Sequence, residues 1–353
     1  MPLLFGKRFT RRELESLLGH TSQLAGVRPV ELADGPERGV RAFEFWTGAG
    51  LEFTVLADRA LDIGATRFRG IPLAWRSPVG DAHPAYYEPQ GLGWLRTFFG
   101  GLLITCGLDN VGTPGRDGHE ELGLHGRFSH LPARNLSWGA DWQKDEYALW
   151  VEGEIRQWRM FGENLVLRRR VATCLGSTEV SVHDSVTNEG STPTPLMLLY
   201  HVNLGWPLLS PSSRIETRVR SVRPRDSRAA EGLATWGHFS APVPGFQEQV
   251  YYLDLEPDGS GFVEVALVNP DLDNGLAFWV RYKVDQLPRF VLWKMLASRE
   301  YVVGFEPANC LVEGRAAERA RGTLRELEPG ETAEFELSLG VATGPYRMAT
   351  VDD

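Results

Sequence analysis

Apolar residues recur at every second position along most of this chain. Phe43 and Phe45 alternate with Ala42 and Glu44, the stretch Thr47 to Gly50 supplies a turn, and Leu51, Phe53 and Val55 resume the alternation with Glu52 and Thr54 opposite. That pattern predicts a β-hairpin. The same period runs through Tyr147, Leu149 and Val151; Leu165 and Leu167; Val180, Val182 and Val186; Val263, Val265 and Leu267; and Phe278, Val280 and Tyr282. Gly176-Ser177, Asn188-Glu189-Gly190, Asp273-Asn274-Gly275 and Pro329-Gly330 separate these runs with residues suited to tight bends. From Thr332 to Leu339 the chain places Ala333, Phe335, Leu337 and Leu339 on one face and Glu334, Glu336 and Ser338 on the other, a half-exposed closing strand. Helical spacing is confined to Arg11 to Leu18, where Leu14, Leu17 and Leu18 lie opposite Arg11, Arg12 and Glu15.

Many short strands, frequent Gly and Pro, and no alternation of strand with helix predict an all-β protein. Two large antiparallel sheets packed face to face are the simplest architecture. No composition break marks a linker and no repeat of fixed period is present, so residues 1–353 are read as one β-sandwich domain with a short helical extension over residues 1–20.

At 42% hydrophobic and 24% charged residues, the chain can bury a substantial core. The net charge is −9, and no stretch concentrates Lys and Arg among aromatics, which removes nucleic acid and anionic membrane surfaces from the expected partners. No run approaches the length of a signal peptide's apolar segment or of a membrane helix. Cys106, Cys174 and Cys310 are widely spaced and odd in number, as expected of free thiols in a reducing cytoplasm rather than of disulfides or a zinc knuckle. Nucleotide, serine-hydrolase and zinc-protease readings lack their motifs: Gly-x-Gly-x-x-Gly, Walker loop, Gly-x-Ser-x-Gly and His-Glu-x-x-His are all missing.

Three segments carry residues that a folding argument does not demand. His125 lies in Leu-Gly-Leu-His-Gly-Arg127, between glycines that let backbone approach a ligand, although a turn histidine bonded to a local carbonyl reads the same way. His201 and Asn203 interrupt the apolar run Met197 to Trp206 and must share one strand face, where they are costly unless partnered. Glu306 ends the apolar run Tyr301 to Phe305 just before Pro307, at a strand end that is either solvated or at a cleft rim. Burial at a rim would raise its pKa toward general-base range. Arg59 and Asp62 follow a strand, where they could grip hydroxyls or pair with each other; Asp109 follows Gly100-Gly101. Arg96, Lys294 and Glu248 are further polar positions that surface ion pairs would equally explain. Trp75, Trp94, Trp206 and Trp293 lie near these clusters and could wall a pyranose or fill core.

Together these residues resemble the galactose mutarotase-like, or aldose 1-epimerase, superfamily, and most closely its bacterial mutarotase-like branch of the DUF4432 type. The resemblance spans nearly the whole chain and rests on the order of Leu-His-Gly-Arg at 124–127, His-Val-Asn-Leu at 201–204, Gly-Phe-Glu-Pro at 304–307 and the Leu327-Glu-Pro-Gly-Glu331 turn. It implies the family's large β-sandwich, an isomerase that opens and recloses a sugar hemiacetal, Glu306 as base, His201 as acid and His125 positioning the sugar. Arg127, Arg59, Asp62, Asn203, Asp109, Arg96 and Lys294 are then candidate substrate contacts. The partner it implies is a small-molecule sugar, with no metal or organic cofactor; the chain could also pair as a homodimer. Two other classes remain open at this point: a sugar binder or sensor on the same sandwich, and a metal-dependent isomerase or lyase using His119, His125, His201 and Glu306.

Overall fold

A computed structural model describes residues 1–348, and it forms the expected sandwich of two antiparallel sheets. One sheet has eight strands, in the spatial order Arg134–Gln143, Glu146–Trp158, Asn164–Cys174, Glu179–Asn188, Thr332–Thr343, Leu276–Lys283, Phe262–Asn269 and Arg214–Thr217. The alternating runs predicted between 147 and 282, and the closing strand, all fall here. The second sheet has eleven strands and includes the predicted hairpin, Arg41–Trp46 with Leu51–Leu56, in the register Phe45 opposite Phe53.

Period two explains why the sheets stack. Leu149, Val151, Val180, Val182, Phe278, Val280, Leu337 and Leu339 from the first sheet meet Phe43, Phe45, Phe53, Val55, Tyr200, Val202 and Phe305 from the second in one continuous buried cluster. Each large side chain so buried contributes roughly 1.5–3 kcal/mol of transfer free energy.

The N-terminal extension holds the expected helix, Arg11–Leu17, started by Thr10, which accepts from the Glu13 N–H while the Glu13 carboxylate accepts from the Thr10 N–H. Two refinements apply. A hairpin of two-residue strands, Leu3–Leu4 and Lys7–Arg8, precedes the helix. Of the leucines expected on one side, Leu14 is buried, whereas Leu17 is exposed.

The larger sheet is covered on both faces. In Met197–Gly205, even-numbered Leu198, Tyr200, Val202 and Leu204 point to the inter-sheet core. Met197 and Leu199 point the other way, with Ile104, Cys106, Val291, Ala308, Trp94 and Phe98, in a second apolar cluster. Odd-numbered His201 and Asn203 therefore belong to that outer face. No helix among the described residues is long and apolar enough to cross a membrane.

Candidate active site

Two neighbouring strands carry the centre of the site. Met197–Gly205 and Tyr301–Ala308 are antiparallel, pairing Val202 with Phe305 and Asn203 with Gly304, so the register sets His201 opposite Glu306. Positions 105 residues apart in sequence thus become cross-strand neighbours, with His201 Nε2 3.2 Å from Glu306 Oε1. Both are nearly inaccessible, at 5% and 2% exposure.

The pair lies at the base of a cavity of about 470 Å3, lined also by Trp94, Phe98, His125, Arg225, Glu248 and Trp293. Such a volume suits a small molecule. The ring of Phe98 meets His201 edge-on at 5.7 Å, and Trp293 does so at 5.4 Å. These walls exclude water and offer flat apolar faces to a bound ring.

His125 reaches the same cavity from a loop, its ring centroid 5.9 Å from that of His201. The residue sits in the left-handed region at φ 56°, held by its N–H donating to Gly112 O and its carbonyl accepting from the Gly107 N–H. Its Nδ1 accepts from the Gly112 N–H at 3.3 Å. An acceptor Nδ1 leaves the proton of the neutral ring on Nε2, free to donate to a ligand oxygen.

Burial shifts all three titrating groups toward neutrality. It carries His125 from 6.5 down to about 4, and His201 down to about 3 with a contribution from neighbouring His125. Burial pushes Glu306 well above the carboxylate range, and the Glu248 charge pushes it further. Both shifts favour a pair that holds one proton between imidazole and carboxyl, written as imidazole with carboxylic acid or as imidazolium with carboxylate. One partner can always give a proton while the other takes one.

Arg225 is a residue the sequence does not single out, and Glu248 enters there only as a polar position that a surface ion pair would equally explain. Glu248 accepts from the Trp293 indole N–H at 2.9 Å and from Arg225 at 2.8 Å, which fixes the aromatic wall and pairs the cavity's cation. No motif announces either residue; only the register of Gln249–Leu255 beside Arg289–Leu296 brings them in.

Other expected substrate contacts take different places. Lys294 lies on the inner side of its strand, opposite in parity to Trp293, and donates to the carbonyls of Thr235, Trp236 and His238. Arg59 is buried and donates to the carbonyls of Ser129, Ala82 and Thr97, while Asp62 pairs with Arg169 at 2.8 Å. The two neither grip the cavity nor pair with each other in a salt bridge. Asn203 shares the face of His201 but donates to Gly100 O and His201 O beneath the site. Arg96 is exposed and 3.2 Å from Glu88, although its neighbours Trp94 and Leu95 line the cavity. Asp109, Arg127 and His119 line a separate cavity, so His119 does not join His125, His201 and Glu306 as a ligand set. Of the four tryptophans singled out, Trp94 and Trp293 wall the site, and Trp206 is exposed.

Gly304 keeps the pair apart from its own strand. A Cβ there would come within 2.7 Å of Glu306 Oε1 and 3.1 Å of His201 Cε1. Gly304→Ala should therefore displace both groups and cut turnover about 100-fold, as misplacement by about 1 Å can, with little change in circular dichroism. A steady-state assay showing full turnover would refute the spacing argument.

His125 also makes a pH prediction. Its folded value near 4 lies below the ordinary 6.5, so between those values the unfolded chain binds the extra proton. Its contribution to stability is present above 6.5 and is lost as pH falls toward 4. In urea denaturation, His125→Asn should show a flatter loss of stability across that window than the parent; identical slopes would contradict a buried neutral ring.

The large two-sheet antiparallel sandwich is that of the galactose mutarotase-like, or aldose 1-epimerase, superfamily. A crystal structure from Klebsiella pneumoniae, provisionally named an aldose 1-epimerase, superposes with a TM-score of 0.86 at 25% identity, covering 92% of this chain and 86% of that one. A galactose mutarotase-like protein from Clostridium acetobutylicum gives 0.64 at 12% identity over 91% and 99% of the two chains. Galactose 1-epimerase from Lactobacillus acidophilus gives 0.57 at 13% identity over 91% and 100%, a likeness of fold. Residues 37–341 match the family described as "Domain of unknown function (DUF4432)", and the chain belongs to that family. No curated protein matches it significantly in sequence.

Proposed function

We propose that this protein is a carbohydrate isomerase that interconverts the anomers of an aldose. The reading rests on one observation, the buried contact of 3.2 Å between His201 and Glu306 at the base of a sugar-sized cavity. In a cyclic sugar the anomeric hydroxyl and the ring oxygen are both bonded to C1, so two adjacent catalytic groups suffice to reach both. Glu306, as carboxylate, takes the proton of the anomeric hydroxyl; His201, as imidazolium, gives its proton to the ring oxygen, and the C1–ring-oxygen bond breaks. Rotation about C1–C2 and reclosure through the reverse transfers form the other anomer and restore the pair's single proton. His125 donates from Nε2 to a sugar hydroxyl, and Trp293 and Phe98 flank the ring. A positioned acid and base each contribute about 10²–10⁴-fold, enough for a reaction that already proceeds in water. The names of the structural neighbours support the same chemistry.

Polarimetry of freshly dissolved α-aldoses tests the proposal. Catalysis should speed the drift in optical rotation in proportion to protein concentration. Saturable binding with drift at the buffer rate would instead make the protein a sugar binder.

A further inference from the structure

The His201 ring has two nitrogens, and only one of them faces Glu306. Nε2 stands 3.2 Å from Glu306 Oε1. Nδ1, nearer the strand, is buried without a conventional hydrogen-bond partner among the described residues, and the same is true of Asn203 Oδ1. The two side chains are two positions apart on one strand, Met197–Gly205, and so share its outer face.

Asn203 is held by every other polar group it has. It has no exposed surface, its N–H donates to Leu102 O at 3.0 Å, and its carbonyl accepts from the Trp75 N–H at 3.1 Å. The amide Nδ2 donates to His201 O at 3.0 Å and to Gly100 O at 3.5 Å. Reversing the amide would set its oxygen against both carbonyls, so Oδ1 is the atom left for the imidazole. A neutral imidazole carries a single N–H. With that proton on Nε2, the Nδ1 lone pair would meet Asn203 Oδ1, acceptor against acceptor. With it on Nδ1, Oδ1 gains a donor and the Nε2 lone pair is left for the Glu306 carboxyl. Burial and neighbouring His125 hold the His201 pKa down, while the Asn203 side chain and the residue's own carbonyl oppose them, as acceptors beside a ring N–H do.

We propose that Asn203 is a positioning residue, whose Oδ1 accepts the Nδ1 proton of His201 and so confines proton exchange by the ring to Nε2. Its consequence for catalysis rests on the acid–base reading of the His201–Glu306 pair. In the imidazolium form, the Nδ1 proton stays with Asn203 and the Nε2 proton goes to the sugar's ring oxygen. The neutral ring that remains has its lone pair on Nε2, where the proton returns on reclosure. The opposite tautomer would present an N–H where reclosure needs a lone pair.

Nitrogen NMR of protein carrying isotope-labelled histidine reads the tautomer, because protonated and unprotonated ring nitrogens have well-separated shifts; the His201 signals are those lost in His201→Asn. Nδ1 should be protonated at neutral pH both in the wild type and in Glu306→Gln, where the ring is neutral and its one proton can be placed without ambiguity. Asn203→Leu removes the acceptor at similar volume. It should let the Nε2-protonated form appear and lower kcat for α-D-glucose and α-D-galactose about tenfold, the size of one hydrogen bond. KM should stay unchanged, because Asn203 has no surface in the cavity. An unprotonated Nδ1 in Glu306→Gln, or wild-type kcat in Asn203→Leu, overturns the proposal. The NMR measurement needs neither sugar nor Asn203→Leu, so it decides the matter if that variant does not fold. It also stands apart from the isomerase reading, which fails instead if the wild type leaves the drift in optical rotation at the buffer rate.

Discussion

Replacing Glu306 with Gln should slow anomer interconversion by about 10²–10⁴-fold while sugar affinity changes by less than about threefold. The substitution preserves shape and hydrogen-bonding reach, and it removes only the capacity to exchange a proton. Glu306 faces His201 across a strand ladder, so the amide still occupies the same place. The paired proton is lost, however: His201, held down to about 3 by burial, has no carboxylate to stabilise its charged form and stays neutral at working pH. The deficit should therefore persist across the neutral range rather than shift to another pH. His201→Asn should cause a comparable loss, and the double variant should be scarcely worse than either single one, because the two groups act as a unit. Rates would be read by polarimetry and affinities by calorimetry. Wild-type rates in Glu306→Gln would remove Glu306 from the chemistry and with it the proposed function.

Legibility from sequence followed the period of the strands. Alternation at Leu149, Val151, Phe278 and Val280 located inner-face residues because a half-buried strand must alternate. His201 and Glu306 stood out because each is a polar interruption of an apolar run, and such an interruption is costly without a purpose. What the pattern could not supply was parity across strands. Lys294 and Trp293 are adjacent in sequence, yet one turns to the inner side and the other to the cavity. Nor could it show that Asp109, ahead of the His125 loop, and Arg127, just after His125, drop into a different cavity. Glu248 and Arg225 sit in irregular sequence, where their positions depend on long-range strand pairing that no local spacing encodes.

The same limit applies to Arg169, which the alternation leaves unmarked and which is the centre of the inter-sheet core. Arg169→Met should destabilise the fold by about 3–5 kcal/mol, the cost of breaking a buried ion pair by removing one partner. Its guanidinium has no exposed surface, donating to Asp184 at 2.6 Å on the smaller sheet and to Asp62 at 2.8 Å on the larger. Tyr200 of the larger sheet donates to Asp184 at 2.6 Å, and Thr105 donates to Asp62 through its N–H at 3.0 Å and its hydroxyl at 2.6 Å. These bonds tie the two sheets through a region that is otherwise apolar. Methionine fills the space but leaves Asp62 and Asp184 buried without their cation, Asp62 keeping only its bonds from Thr105 and Asp184 only that from Tyr200. Tyr200 immediately precedes His201, so slackening here should also loosen the strand that carries His201, and any turnover should fall more than the folded fraction does. Urea denaturation monitored by tryptophan fluorescence gives the stability change. A loss below about 1 kcal/mol, typical of a surface ion pair, would mean that the cluster is dispensable to the sandwich.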